Sequence, residues 1–172
     1  MSTQNNMTAQ IHQIETAHVG YQVAVSLWSH AGNEVWTRFN MMLVANSIII
    51  AVIGIALSAQ RNLNLLTASM SATGIALCIA WYLITKRGFA YQVYYLFSAR
   101  EIEEQYLSNT IHTMSRGGPF GYGKPINLTI DNKPMTFQMD RTSRLLSAQK
   151  GAYLTVLVFV VIYGVLLVQT FI

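Results

Sequence analysis

The residues best equipped for metal or proton chemistry in this chain are few: four histidines, one cysteine and seven carboxylates among 172 residues. His12, Glu15 and His18 follow one another at intervals of three, so a helix would bring their side chains near one another. Zinc would require one or two more ligands, and no cysteine lies nearby. His30 and His112 stand alone, and Cys78 falls in the middle of an apolar run, where a thiol behaves as a small hydrophobe. The glycine-rich GGPFGYGKP has neither a preceding strand nor the Gly-Lys-Ser/Thr that opens a phosphate-binding helix. No Gly-x-Ser-x-Gly elbow occurs. This pattern predicts no catalytic residues, no bound metal and no cofactor, hence a protein that is not an enzyme.

What must position these residues is a set of helices in a membrane. Hydrophobic residues make up 52% of the chain and charged ones 10%, against roughly 25% charged in soluble domains. Three apolar runs, Phe39–Ala59, Leu65–Thr85 and Ala152–Ile172, are each long enough to cross a bilayer as a helix. None carries a charge, so a proton relay through carboxylates is disfavoured. The first run starts too far into the chain for a cleaved signal peptide.

Arg61 is the only base between the first two runs; the other Lys and Arg residues precede the first or lie between the second and third. By the positive-inside bias the N-terminus and the 86–151 segment face the cytoplasm, and the C-terminus lies outside a multi-pass cytoplasmic (inner) membrane protein. Arg38, Lys86, Arg87, Arg144 and Lys150 flank the runs and are expected at the lipid headgroups, with membrane lipids as partners. The bases are too scattered for a nucleic-acid footprint.

The expected organisation is a cytosolic amphipathic helix over 1–33, a first membrane helix over 34–59 and an external loop over 60–64. A second membrane helix over 65–85 continues as a cytosolic helix over 86–116. A loop with a β-hairpin fills 117–150, and a third membrane helix takes 151–172. The fold class is mainly α: a membrane protein with three transmembrane helices, a cytosolic helical stalk and a small β-hairpin.

From Ile11 the apolar positions Ile14, His18, Tyr21, Val25, Trp28, Gly32, Val35, Phe39 and Met42 alternate steps of three and four, the seam of a packed helix. Gly32-Asn33 reads as a break, with Asn33 capping a new helix. Glu34 and Arg38 form an i,i+4 pair. Asn46 and Ser47 are polar at membrane depth, either interhelical hydrogen-bonding groups or a pore lining. Ala68, Ala72, Ala76 and Ala80 form a ridge of small side chains suited to a close helix neighbour, in this chain or another.

Beyond Arg87 the aromatic cluster Phe89, Tyr91, Tyr94, Tyr95 and Phe97 is expected to form an interfacial belt and then to pack on the N-terminal helix, with Glu101, Glu103 and Glu104 on a solvated face. Ser98 to Glu101 fits a capping box, which allows a kink near Ser98. Arg116 to Pro119 should end the helix. Ile126–Ile130 and Met135–Gln138 alternate as a hairpin around Asp131 to Pro134.

The segment WTRFNMMLVANS, through Trp36, Arg38, Phe39, Asn40 and the Asn46-Ser47 pair, together with the layout of spans, resembles small bacterial inner-membrane proteins of the RipA-like octameric type. The resemblance covers about twenty residues by motif. It implies a homo-oligomeric ring, an octamer by the type it resembles, and carries over no catalytic or ligand residue. The functions that remain are a ring-forming pore or membrane scaffold, a membrane anchor recruiting a cytosolic protein, and a membrane-disrupting defence effector.

Overall fold

The computed structural model describes residues 2–58, 64–107 and 111–171, with side chains from residue 11 onward. The expected external loop at 60–64 and Arg61 therefore lie almost wholly outside the described residues. Helix α1 runs Ser2–Ser58 and α2 runs Asn64–Ile102, closing in a π-helical turn at Glu103–Leu107. The short helix α3 (Thr113–Gly121), strands β1 (Ile126–Ile130) and β2 (Lys133–Phe137), the single-turn α4 (Arg141–Leu145) and α5 (Ala148–Gln169) complete the chain. α1, α2 and α5 each hold an 18-residue stretch apolar enough to cross a membrane, with mean hydropathy 2.3, 1.5 and 2.5.

Contacts divide the chain into two compact units. One comprises Gly32–Phe89 with Ala148–Ile172; the other comprises Met1–Ala31 with Ala90–Ser147. In the first, the seam read from sequence is the buried edge of α1: Val35 and Phe39 are buried, and the same spacing carries on to Asn46 and Ile53. Against it stand Cys78, Trp81 and Phe89 of α2 with Ala152, Val156 and Tyr163 of α5. Ring contacts bind this core, with Trp81 4.9 Å from Phe39 and 5.8 Å from Phe159, centroid to centroid. Such aromatic pairs contribute about 0.5–1.5 kcal/mol each beyond the area they bury.

Several local expectations are corrected. α1 passes through Gly32 and Asn33 without a break. The reason is the seam itself: Gly32 is buried, so packing over several turns outweighs the weak helix propensity of one glycine and one asparagine. α2 runs through Ser98 as one continuous helix. Its irregularity comes later, where i→i+5 closure places Glu103 and Leu107 together on the buried side. Of the aromatic cluster Phe89 is buried, whereas Tyr94 and Phe97 are 63% and 58% exposed, so only part of the cluster packs inward. α3 runs through Arg116, Gly117, Gly118 and Pro119 instead of ending there. Pro119 lies beyond the first turn of α3, but a helix this short has few internal hydrogen bonds for it to interrupt.

The hairpin forms where alternation placed its first strand. Asp131 and Asn132 take positive φ angles of 52° and 59°, the two-residue primed turn whose twist suits a hairpin. This tight turn starts β2 at Lys133, two residues earlier than the pattern suggested, and pairs Ile126 with Phe137 and Leu128 with Met135. Pro134 is tolerated because a two-stranded sheet has only edge strands.

Candidate functional site

Polar groups from all three membrane helices meet at one residue. Asn46 is fully buried. Its amide Nδ2 donates to the Met42 carbonyl at 2.8 Å, and the Cys78 thiol donates to its Oδ1 at 3.4 Å. The Tyr163 hydroxyl donates to the Asn46 backbone carbonyl at 3.1 Å. Thus α1, α2 and α5 meet at a hydrogen-bonded junction in which an unpaired amide would otherwise be costly. Gly74 makes the junction possible, because the Tyr163 ring occupies the volume a side chain there would need.

Of the two readings open for Asn46, this geometry engages it as an interhelical group, turned inward among three helices of its own chain. Ser47 is exposed, and its hydroxyl donates back to the Leu43 carbonyl of its own helix at 2.8 Å. Tyr163 has no counterpart among the sequence-derived candidates. Its partner is a backbone oxygen, which no side-chain pattern reveals.

α2 shows two distinct faces. Thr67, Ser71, Gly74, Cys78, Trp81, Thr85 and Phe89 are buried, and their steps of three and four again describe one seam. The alanine ridge lies beside this seam, not on it: Ala68 and Ala80 are half-buried, Ala72 and Ala76 exposed. The nearby hydroxyls of Ser69 and Thr73 donate to the Leu66 and Ser69 carbonyls at 2.9 Å each. Their polarity is satisfied within the helix, so this exposed strip can pack dry against another surface.

The candidate headgroup residues are spread over both units. Arg38 pairs with Glu34 one turn away, both partly exposed. Lys86 lies 5.8 Å from the Tyr82 ring centroid, a cation–π distance, and Arg87 and Lys150 are exposed. Arg144 packs on Gly123, whose φ of +73° and lack of a side chain both permit the approach; a Cβ there would lie 2.3 Å from its Nη1. Nearby Asp140 precedes α4 and accepts the Thr142 hydroxyl; this bond and backbone N–H donors hold its carboxyl below the ordinary aspartate range.

The residue most at odds with the sequence reading is Glu103. It is fully buried, not on a solvated face. Its Oε2 accepts the Met114 backbone N–H at 2.8 Å and the Tyr21 hydroxyl at 3.3 Å. Its Oε1 accepts the Ser115 hydroxyl at 2.9 Å and backbone N–H at 3.4 Å. A carboxylate from the π-helical turn therefore caps the first turn of α3, where helical N–H groups lack partners and negative charge is favoured. Arg100 adds a second tether through Nε to the Met114 carbonyl at 2.8 Å. The signal was present: carried past Trp81 and Phe89, the seam reaches Ala99 and then Glu103. His12, Glu15 and His18 lie along α1, and among the described residues no group of three or more His, Cys, Asp or Glu side chains is close enough to hold a metal.

The model of the Octameric membrane protein family (8xMP) matches residues 20–172. No curated protein and no solved structure matches the chain.

Proposed function

Since this chain belongs to the Octameric membrane protein family, matched over most of its length, we propose that eight copies assemble into a ring that acts as a non-enzymatic scaffold in the cytoplasmic membrane. The observation that carries this reading is the uncovered strip of α2 around Ala72 and Ala76. The chain's own helices use the adjacent seam, leaving free a face of small side chains with internally satisfied hydroxyls. In lipid such a face gains more from a closely approaching helix than from acyl chains, because helix association there depends on packing. The distribution of Lys and Arg orients the ring with its N-termini and the 86–151 segments in the cytoplasm and its C-termini outside. The burial of Asn46 favours the scaffold over a pore, since the best polar candidate for a lining is used within the subunit. The 86–151 segment is then the part available to a cytosolic protein.

The test is native mass in nanodiscs, for the wild type and for Ala72→Leu with Ala76→Leu. The proposal expects an octamer that the paired leucines reduce to smaller species. An unchanged octamer in the variant would move the interface elsewhere on the chain, and a wild-type monomer would end the proposal. Ion flux through liposomes carrying the wild-type octamer would replace the scaffold with a pore.

A further inference from the structure

The unit built from Met1–Ala31 and Ala90–Ser147 holds a cleft of about 840 Å3 between α3 and the hairpin, within the size range of small-molecule sites. Its two walls differ chemically. His112, Arg116 and Phe120, spaced by four, lie on one face at α3. Ile126 and Leu128 lie on one face of β1, with Phe137 opposite Ile126 on β2. The cationic group thus lies on the α3 side and the apolar hairpin surface opposes it, while Tyr21 of α1 also lines the cleft with its hydroxyl given to Glu103. Among the described residues lining the cleft there is no carboxylate.

We propose that this cleft binds an amphipathic anion: a carboxylate or phosphate carried on an apolar chain. Arg116 supplies a planar fork that matches either oxyanion, and His112, one turn earlier, adds a second nitrogen donor site on the same side. Phe120 and the hairpin face receive the apolar portion. That face has work left to do, since Phe137 remains 41% exposed although it belongs to the apolar side of the sheet. The α3 wall is held in place for this role. Glu103 binds the two backbone N–H groups just before Arg116, and Arg100 binds the Met114 carbonyl. A small molecule is favoured over a peptide helix or strand because the α3 and hairpin walls are a nine-residue helix and five-residue strands, with α1 contributing Tyr21 alone among the described residues.

The test uses the full chain in phosphatidylcholine nanodiscs, with dodecanoic acid bearing a terminal diazirine as probe and mass spectrometry to locate the adducts. Labelling is expected between residues 111 and 137, displaced by dodecyl phosphate and not by dodecyltrimethylammonium. Arg116→Ala should lower it roughly tenfold, as expected for loss of a charge-assisted hydrogen bond, and Arg116→Lys should restore part of it. Displacement by phosphatidylglycerol built into the nanodisc would identify a lipid as the source, and displacement by soluble dodecyl phosphate alone a free metabolite. Adducts confined to the apolar helices, equal displacement by the cation, or labelling indifferent to Arg116→Ala would overturn the proposal. Native mass on the same samples reports the octamer separately, so either reading can fail alone.

Discussion

Gly74 on α2 and Tyr163 on α5 share a single volume: a Cβ built on Gly74 would stand 2.4 Å from Cζ of the Tyr163 ring. The tyrosine lies over the bare backbone of one helix and reaches the Asn46 carbonyl of another at 3.1 Å. Gly74→Ala should therefore destabilise the bundle by about 1–3 kcal/mol, the cost of overpacking against a rigid ring. Tyr163→Phe keeps the ring and loses only the hydrogen bond, about 0.6 kcal/mol in a membrane setting. Unfolding in mixed micelles measures both. Adding Tyr163→Ala to Gly74→Ala should cost less than the sum of the two single changes, and strict additivity would refute the shared volume.

Asn46 and Ser47 are sequence neighbours with opposite surroundings, and substitution should separate them. Asn46→Ala removes two side-chain hydrogen bonds and leaves a void, so a loss of about 1–3 kcal/mol is expected. Ser47→Ala removes only a bond to its own helix from an exposed position and should stay within about 0.5 kcal/mol. Neither change should alter solute passage through liposomes carrying the protein. Altered flux in Asn46→Ala would return that residue to a pore lining.

Glu103 should govern the order of α3. Glu103→Ala leaves the Met114 and Ser115 amides without their acceptor, at a local cost of about 1–3 kcal/mol. Hydrogen exchange at 113–121 should then accelerate about tenfold to a hundredfold. Glu103→Gln keeps one acceptor oxygen and should fall between. Glu104→Gln, at an exposed neighbour, should leave exchange at the wild-type rate; a response equal to that of Glu103→Gln would refute the cap.

Asp140 makes the start of α4 sensitive to acid. Its carboxyl is lowered in the folded chain chiefly by the Thr142 hydroxyl, so folding favours the ionised form. That contribution is complete above the ordinary aspartate value of about 3.9 and disappears as pH falls through the lowered value. Exchange protection at residues 141–145, taken relative to the intrinsic rate at each pH, should therefore fall on acidification below about pH 4 in the wild type. In Asp140→Asn this fall should be absent; an identical profile would remove Asp140 from the explanation.

The sequence alone determined the three apolar helices, the basic bias between them, the first strand of the hairpin and the seam from Val35 through Phe39. These features are legible because they are periodic or cumulative. Length, hydropathy and alternating steps of three and four need no knowledge of the neighbour. Even Asn46 was identifiable as a polar group needing a partner. Tertiary structure alone decided who the partner was. The Tyr163 bond ends on a backbone carbonyl, and the Gly74 contact depends on how α2 and α5 are placed. The alanine ridge lies beside the buried seam, because periodicity gives the spacing of a face and not its neighbour. Glu103 shows the same limit. Three carboxylates close together suggest a solvated face, yet a π-helical turn brings one of them to the unpaired amides of α3. A buried charge is stabilised only by such matched donors, and those donors come from another part of the chain.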